Sequence, residues 1–295
     1  MSHGSYVLAG YDGTHESEDA LRWAVREARA RRVPLMVCHA WRWPFPISYI
    51  DYEGVGLVKR MGGHLLDHGV DLARRMAPSV RVDKRLMDGP ADAALMHLSE
   101  DAELIVIGSH EQDALPVGST ALQLPARADR PVVIVRRTAP VHGEVVVGTD
   151  GSAGADVALA FGFEEAALRG WRLRAVYGCW EPGAAIEDDL SLFNDEDKVR
   201  RVCGARLERQ VAPWRVKYPQ VEAWTSLVLT PPREALFEAA EAADLVVVGN
   251  RGAGGLDPLR LGATSGAVLQ HVPCTVAIVP STHMEPAPDR DGPLT

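Results

Sequence analysis

SYVLAGYDGTHESEDALRWAVREARARRVPLMVCHAW (5–41) and EVVVGTDGSAGADVALAFGFEEAALRGWRLRAVYGCW (144–180) follow one pattern. Asp12, Gly13 and Thr14 fall on Asp150, Gly151 and Ser152, and Ala20 and Leu21 fall on Ala158 and Leu159. The Trp closing each stretch, Trp41 or Trp180, is matched as well. Further on, DAELIVIGS (101–109) answers AADLVVVGN (242–250), and RPVVIVR (130–136) answers CTVAIVP (274–280). A repeat of about 140 residues is a whole domain rather than a solenoid unit.

Within each copy the hydrophobic period alternates. YVLAG and VVVG are short apolar runs ending in Gly, as expected of strands buried on both faces. Over 16–32, Ala20, Leu21, Ala24, Val25 and Ala28 recur at helical spacing. PLMVCHA, the alternating VRVDKRLM, LIVIG and VVIV supply further strands. Helical patterns over 59–77, 91–102 and 119–129 separate them. Strands that alternate with helices imply right-handed crossovers. The fold class is therefore α/β: two tandem, open-twisted, five-stranded parallel-sheet domains with helices on both faces. The expected boundaries are 1–139 and 143–280, and 281–295, rich in Pro and Asp without apolar period, reads as a disordered tail.

Composition excludes several functions. The net charge is −9, with 22 of the 40 acidic residues in 141–295, and no Lys/Arg stripe points to nucleic acid or an anionic membrane. No apolar stretch approaches the ~20 residues of a membrane span. The start MSHGSYVLAGYDG lacks the basic and apolar parts of a signal peptide, so a cytoplasmic location is expected. Cys38, Cys179, Cys203 and Cys274 form no CxxC pair, and no metal motif is expected.

In open parallel sheets ligands sit beyond the carboxyl ends of the strands, where strand order switches. Three segments per copy reach that edge: YDGT (11–14) or TDGS (149–152), CHAW (38–41) or YGCW (177–180), and the loop after the fourth strand. In the second copy that loop is GNRGAGGLDPLRLGATS (249–265), with five glycines and the cations Arg251 and Arg260. Glycines let backbone N–H groups approach an anion, and a helix N-terminus favours it. Taken alone, the loop reads equally well as a flexible turn. Asp12 and Asp150 suit helix caps as well as ligand contacts. His39, ending a strand, reads as packed; His110 beside Glu111 reads as a solvated pair; His271 suits a helix C-terminus. Trp41, Trp43 and Trp180 read as lining the cleft mouth or a domain interface, and 193–211 as an amphipathic helix with a solvated charged face.

Together these segments resemble the universal stress protein family in its tandem form, over roughly 5–137 and 143–280. The resemblance implies an adenine-nucleotide α-hydrolase-like, Rossmann-like fold and ATP, with Mg as a companion ion, as ligand. ATP-binding members carry Gly-x2-Gly-x9-Gly-Ser/Thr; Gly249, Gly252 and Gly262 match, while Ala263 stands in place of the hydroxyl. The resemblance assigns phosphates to the backbone of Gly252 and Gly262, with Thr264 or Ser265 supplying a nearby hydroxyl. It assigns Asp150, with Gly151 and Ser152, to the adenosine and the backbone of Cys179 to the adenine. In the first copy Asp12, Thr14 and Ala40 keep the adenosine half. Glu111 replaces the middle glycine there and three residues are missing from the phosphate loop, so weak or absent ATP binding is expected. A homodimer through domain edges is implied as well, and the last strands, 131–136 and 274–279, are edges that need cover.

Three functions fit these residues. One is a non-enzymatic ATP- or ADP-binding regulator of the stress response, with at most slow hydrolysis. The second is a hydrolysing or adenylylating enzyme, although no Walker-A Lys and no Ser-His-Asp order is found. The third is a scaffold that has lost its nucleotide.

Overall fold

The computed structural model describes residues 5–44, 51–109, 119–136, 142–179, 196–252 and 261–281. The chain divides into two compact units, Met1–Arg137 and Thr138–Thr295.

The first unit runs β1 (Tyr6–Gly10), α1 (His15–Arg31), β2 (Leu35–Trp41), α2 (Tyr52–Met76), β3 (Val82–Asp88), α3 (Ala91–Leu98), β4 (Ala102–Gly108), α4 (Ser119–Arg127) and β5 (Val132–Val135). All its strand pairs are parallel, in the order β3-β2-β1-β4-β5. The second unit runs β6 (Glu144–Gly148), α5 (Ala153–Arg169), β7 (Arg172–Gly178), α6 (Glu196–Lys217), β8 (Ala223–Val228), α7 (Pro232–Ala240), β9 (Leu245–Gly249), α8 (Ala263–His271) and β10 (Thr275–Val279). Its order is β10-β9-β6-β7-β8, again all parallel. The expected α/β class, with parallel strands alternating with helices, is observed. In each unit the strand order reverses beside the first strand, between β1 and β4 or between β6 and β9.

The apolar runs form the sheet interiors because helices cover them. Val7, Leu8 and Ala9 in β1 and Val145, Val146 and Val147 in β6 have no solvent exposure. The five helical positions read from α1, Ala20 to Ala28, are all buried against the sheet. Both α1 and α5 end on a residue in left-handed conformation, Arg32 (φ 60°) and Gly170 (φ 66°).

The structure corrects several sequence expectations. Helix α2 begins at Tyr52 rather than 59, capped by Asp51, whose carboxylate accepts from the Glu53 N–H at 3.1 Å. Helix α3 stops at Leu98 instead of reaching 102; the Ser99 hydroxyl donates to the Met96 carbonyl at 2.7 Å and turns the chain into β4. Strand β3 buries only Val82 fully, so its alternation is a weak one. The matching of Trp41 with Trp180 is one residue out. Gly10 pairs with Cys38 and Gly148 with Val176, which puts Cys179, not Trp180, at the place of Trp41. Ala40 accordingly corresponds to Gly178.

Candidate functional site

In the second unit, the β6–α5 turn and the loop after β9 meet at the strand tips. Asp150 does not cap α5. Its Oδ1 accepts from the Ser152 N–H at 2.9 Å, and Ser152 is the cap, its Oγ accepting from the Ala155 N–H at 3.2 Å. The same division holds in the first unit: Asp12 accepts from the Thr14 N–H (3.0 Å) and hydroxyl (2.6 Å), and Thr14 caps α1. Each Asp shapes a turn over a glycine at positive φ, Gly13 (79°) or Gly151 (80°).

The Oδ2 of Asp150 faces the Gly-rich loop. A side-chain carbon on Gly252 would stand 2.5 Å from Asp150 Oδ2, so any larger residue there must push the carboxylate aside. Two further glycines bring backbone against backbone: a Cβ on Gly249 would stand 2.8 Å from the Gly154 carbonyl, and one on Gly154 would stand 2.5 Å from the Arg251 carbonyl. Gly262 donates its N–H to the Asn250 carbonyl at 2.9 Å and opens α8 without a side-chain cap. The first N–H groups of that helix, from Ala263 onward, therefore lack a side-chain acceptor at the cap. Ala263 is exposed and Thr264 half-buried. Ser265 is buried, and its hydroxyl donates to the Gly249 carbonyl at 2.6 Å, which ties α8 to the tip of β9. Gly254, Gly255 and Arg260 lie outside the described residues, as do Trp180 and, in the first unit, His110, Glu111 and Gly118.

Helix α6 is more than a solvated charged face, which corrects the sequence reading. Gln210 is buried; it accepts from the Thr149 hydroxyl and donates to Asp156 Oδ1 at 2.8 Å, tying α6 to the turn. The Arg206 guanidinium occupies the space where a side chain on Gly151 would begin. Cys203 brings its sulfur to 2.6 Å from that of Cys179, whose N–H donates to the Val228 carbonyl at 2.9 Å. Burial, with the contact to Cys203 second, pushes the Cys179 thiol up to about 12. Burial likewise raises Tyr177 beside it. Sequence reasoning missed all three α6 contacts. Of these only Gln210 carries a signal, a polar residue on the helical face shared with Leu207, Val211 and Trp214.

The first unit holds a cavity of about 240 Å³ at the corresponding edge, lined among others by Asp12, Thr14, His39, Ala40, Leu95 and Gly108. The three first-copy positions expected to keep an adenosine half thus face one space. His39 is half-buried rather than packed away: it lines this cavity, its Nδ1 donating to the Tyr11 carbonyl at 2.8 Å. Trp41 is buried under α2 beside Gly62. His271 ends α8 with its ring edge-on to Phe237, the centroids 5.7 Å apart.

Among the described residues no group of three His, Cys, Asp or Glu could hold a metal ion, and no helix is long and apolar enough to cross a membrane. Comparison with known proteins gives a consistent picture. The model of the universal stress protein family matches twice, over residues 6–136 and 143–280. A universal stress protein of Mycobacterium tuberculosis is 32% identical across 93% of this chain and 97% of its own length. One from Mycolicibacterium smegmatis is 28% identical across 92% and 96%. Among solved structures, a universal stress protein from Archaeoglobus fulgidus superposes with a TM-score of 0.69 at 18% identity, covering 93% of this chain and 96% of that one.

Proposed function

This chain belongs to the universal stress protein family, and we propose that it is a non-enzymatic adenine-nucleotide-binding regulator that takes ATP in its second unit. The observation that carries the reading is the approach of Asp150 to Gly252. A carboxylate from the first strand's turn and a backbone from the fourth strand's loop converge where the strand order switches. An ionised carboxylate accepts only, which suits the hydroxyl and amine donors of a nucleoside and repels phosphate. The nucleoside therefore lies at Asp150, and the phosphates extend toward Gly262 and the uncapped start of α8, where backbone N–H groups and the helix dipole favour negative charge. Ser265, committed to Gly249, is the weaker hydroxyl candidate, and half-buried Thr264 the better one.

The first unit keeps the nucleoside half of this arrangement in its 240 Å³ cavity. Its phosphate loop carries Glu111 and is three residues shorter, so ATP binds there more weakly. Hydrolysis, if any, is slow, because no nucleophile–base pair is found among the described site residues.

Calorimetry separates the two units. Gly252→Asp sets a second carboxylate against Asp150, and ATP affinity falls at least about tenfold, since one charge-assisted contact is worth roughly 1.5–3 kcal/mol. Asp12→Ala leaves affinity within about twofold. The opposite outcome assigns ATP to the first unit. No ATP binding by the intact protein, with none co-purifying by mass spectrometry, favours the scaffold reading. Steady turnover of labelled ATP favours the enzyme.

A further inference from the structure

We propose that Cys179 and Cys203 form a peroxide-sensing dithiol that closes to a disulfide on oxidation. The two cysteines are 24 positions apart, and each belongs to a different layer of the second unit: Cys179 follows β7, and Cys203 lies on α6. Their sulfurs are 2.6 Å apart, about 0.5 Å more than a disulfide bond and well inside the contact distance of unbonded sulfurs. The fold thus sets the two sulfurs side by side without a bond between them. Cys38 and Cys274 are each buried in their own unit.

The two members are unequal, which sets the order of events. Cys203 is half-buried at the rim of the nucleotide edge and reaches solvent, while Cys179 is 8% exposed. Arg206 is three residues further along the same helix, hence on the same face as Cys203, and its guanidinium lies over Gly151. The oxidant is a hydroperoxide. The Cys203 thiolate attacks its O–O bond and becomes a sulfenic acid, releasing hydroxide (from hydrogen peroxide). The Cys179 sulfur then attacks the Cys203 sulfur. The S–S bond forms, the S–O bond breaks, and the departing hydroxide takes the Cys179 proton as water. In sum, two thiols and one hydrogen peroxide give one disulfide and two waters. Burial holds Cys179 as the thiol, so it serves as the resolving partner rather than the first site of attack.

The bond fixes the face of α6 that carries Arg206 over Gly151, and it encloses the whole β7–α6 connection. This inference stands apart from nucleotide binding, and its test reads covalent chemistry alone. The full chain is reduced, freed of reductant and exposed to hydrogen peroxide. Free thiols are then alkylated and the protein digested without reductant for mass spectrometry. The expected result is a cross-linked peptide pair joining positions 179 and 203, loss of alkylation at both, and full recovery with dithiothreitol. Cys203→Ser, at a half-buried helix position, abolishes the cross-link. Cys179→Ala leaves a sulfenic acid at 203 that dimedone captures. The proposal is overturned if both thiols stay alkylated in excess peroxide, if sulfinic acids form with no cross-link, or if dimedone labels 179 rather than 203 when the wild type is oxidised.

Discussion

Arg32 and Gly170 hold the same left-handed position at the ends of α1 and α5, with φ of 60° and 66°. Each backbone N–H turns back to the last helical turn, to Ala28 and Arg29 in one unit and to Ala166 in the other. An arginine adopts this conformation at a cost of about 1–2 kcal/mol that glycine avoids, offset in part by glycine's greater freedom when unfolded. Arg32→Gly is expected to stabilise the protein by about 0.5–1 kcal/mol, and Gly170→Arg to destabilise it by a similar amount. Urea midpoints of the two variants check both signs.

Glu165 has no exposed side-chain surface and is ion-paired one turn along α5 with Arg169, which is 15% exposed; Glu27 and Arg31 repeat the pair in α1. Removing Glu165 takes from Arg169 the buried carboxylate it pairs with one turn away. Glu165→Ala should therefore cost about 3–5 kcal/mol. Glu196→Ala, which breaks a pair exposed at 63% and 51%, should cost only about 0.3–0.5 kcal/mol. Equal losses in denaturant titrations would contradict the role assigned to burial.

Asp244 receives the N–H groups of His142, Gly143 and Glu144, at 2.6 Å for Gly143. One carboxylate thus anchors the chain where it enters β6. Asp244→Ala should cost about 1.5–3 kcal/mol, because bonds to a charged acceptor are lost together. Amide exchange at Gly143 and Glu144 should quicken, and Asp244→Asn should fall between the two.

Burial pushes the Cys38 thiol from 9.0 to about 12. The folded state keeps this thiol neutral, whereas the unfolded chain ionises it above pH 9. Its contribution is whole below 9 and declines as pH rises toward 12, by about 1.4 kcal/mol per unit. Cys38→Val should flatten the alkaline limb of the stability curve between those values. An unchanged slope would show that another group sets it.

The strands, the doubling and the Asp-Gly turns were legible because each rests on local rules: apolar runs, repeated spacing, and glycine where φ must be positive. The start of α2 was not. Gly54 lies against the Trp43 indole, where a Cβ would stand 2.9 Å from the ring, so its glycine reflects packing that a propensity reading takes for a helix breaker. Asp12 and Asp150 looked like caps, yet Thr14 and Ser152 hold that role, a choice decided by the turn two residues earlier. The contribution of α6 was hidden because Gln210, Arg206 and Cys203 meet partners 24 to 61 positions away, and no periodicity encodes such meetings.

Gly108 rests on the backbone of Glu16 as Gly249 rests on that of Gly154, so in both units the fourth strand's tip is fixed before its loop departs. The loops beyond differ by three residues, while the apolar cores of β4 (Leu104–Ile107) and β9 (Leu245–Val248) are buried alike. Insertions and deletions in those loops are thus decoupled from folding. After a duplication, one copy is free to drift toward a different ligand or none while its twin stays under selection for the original one.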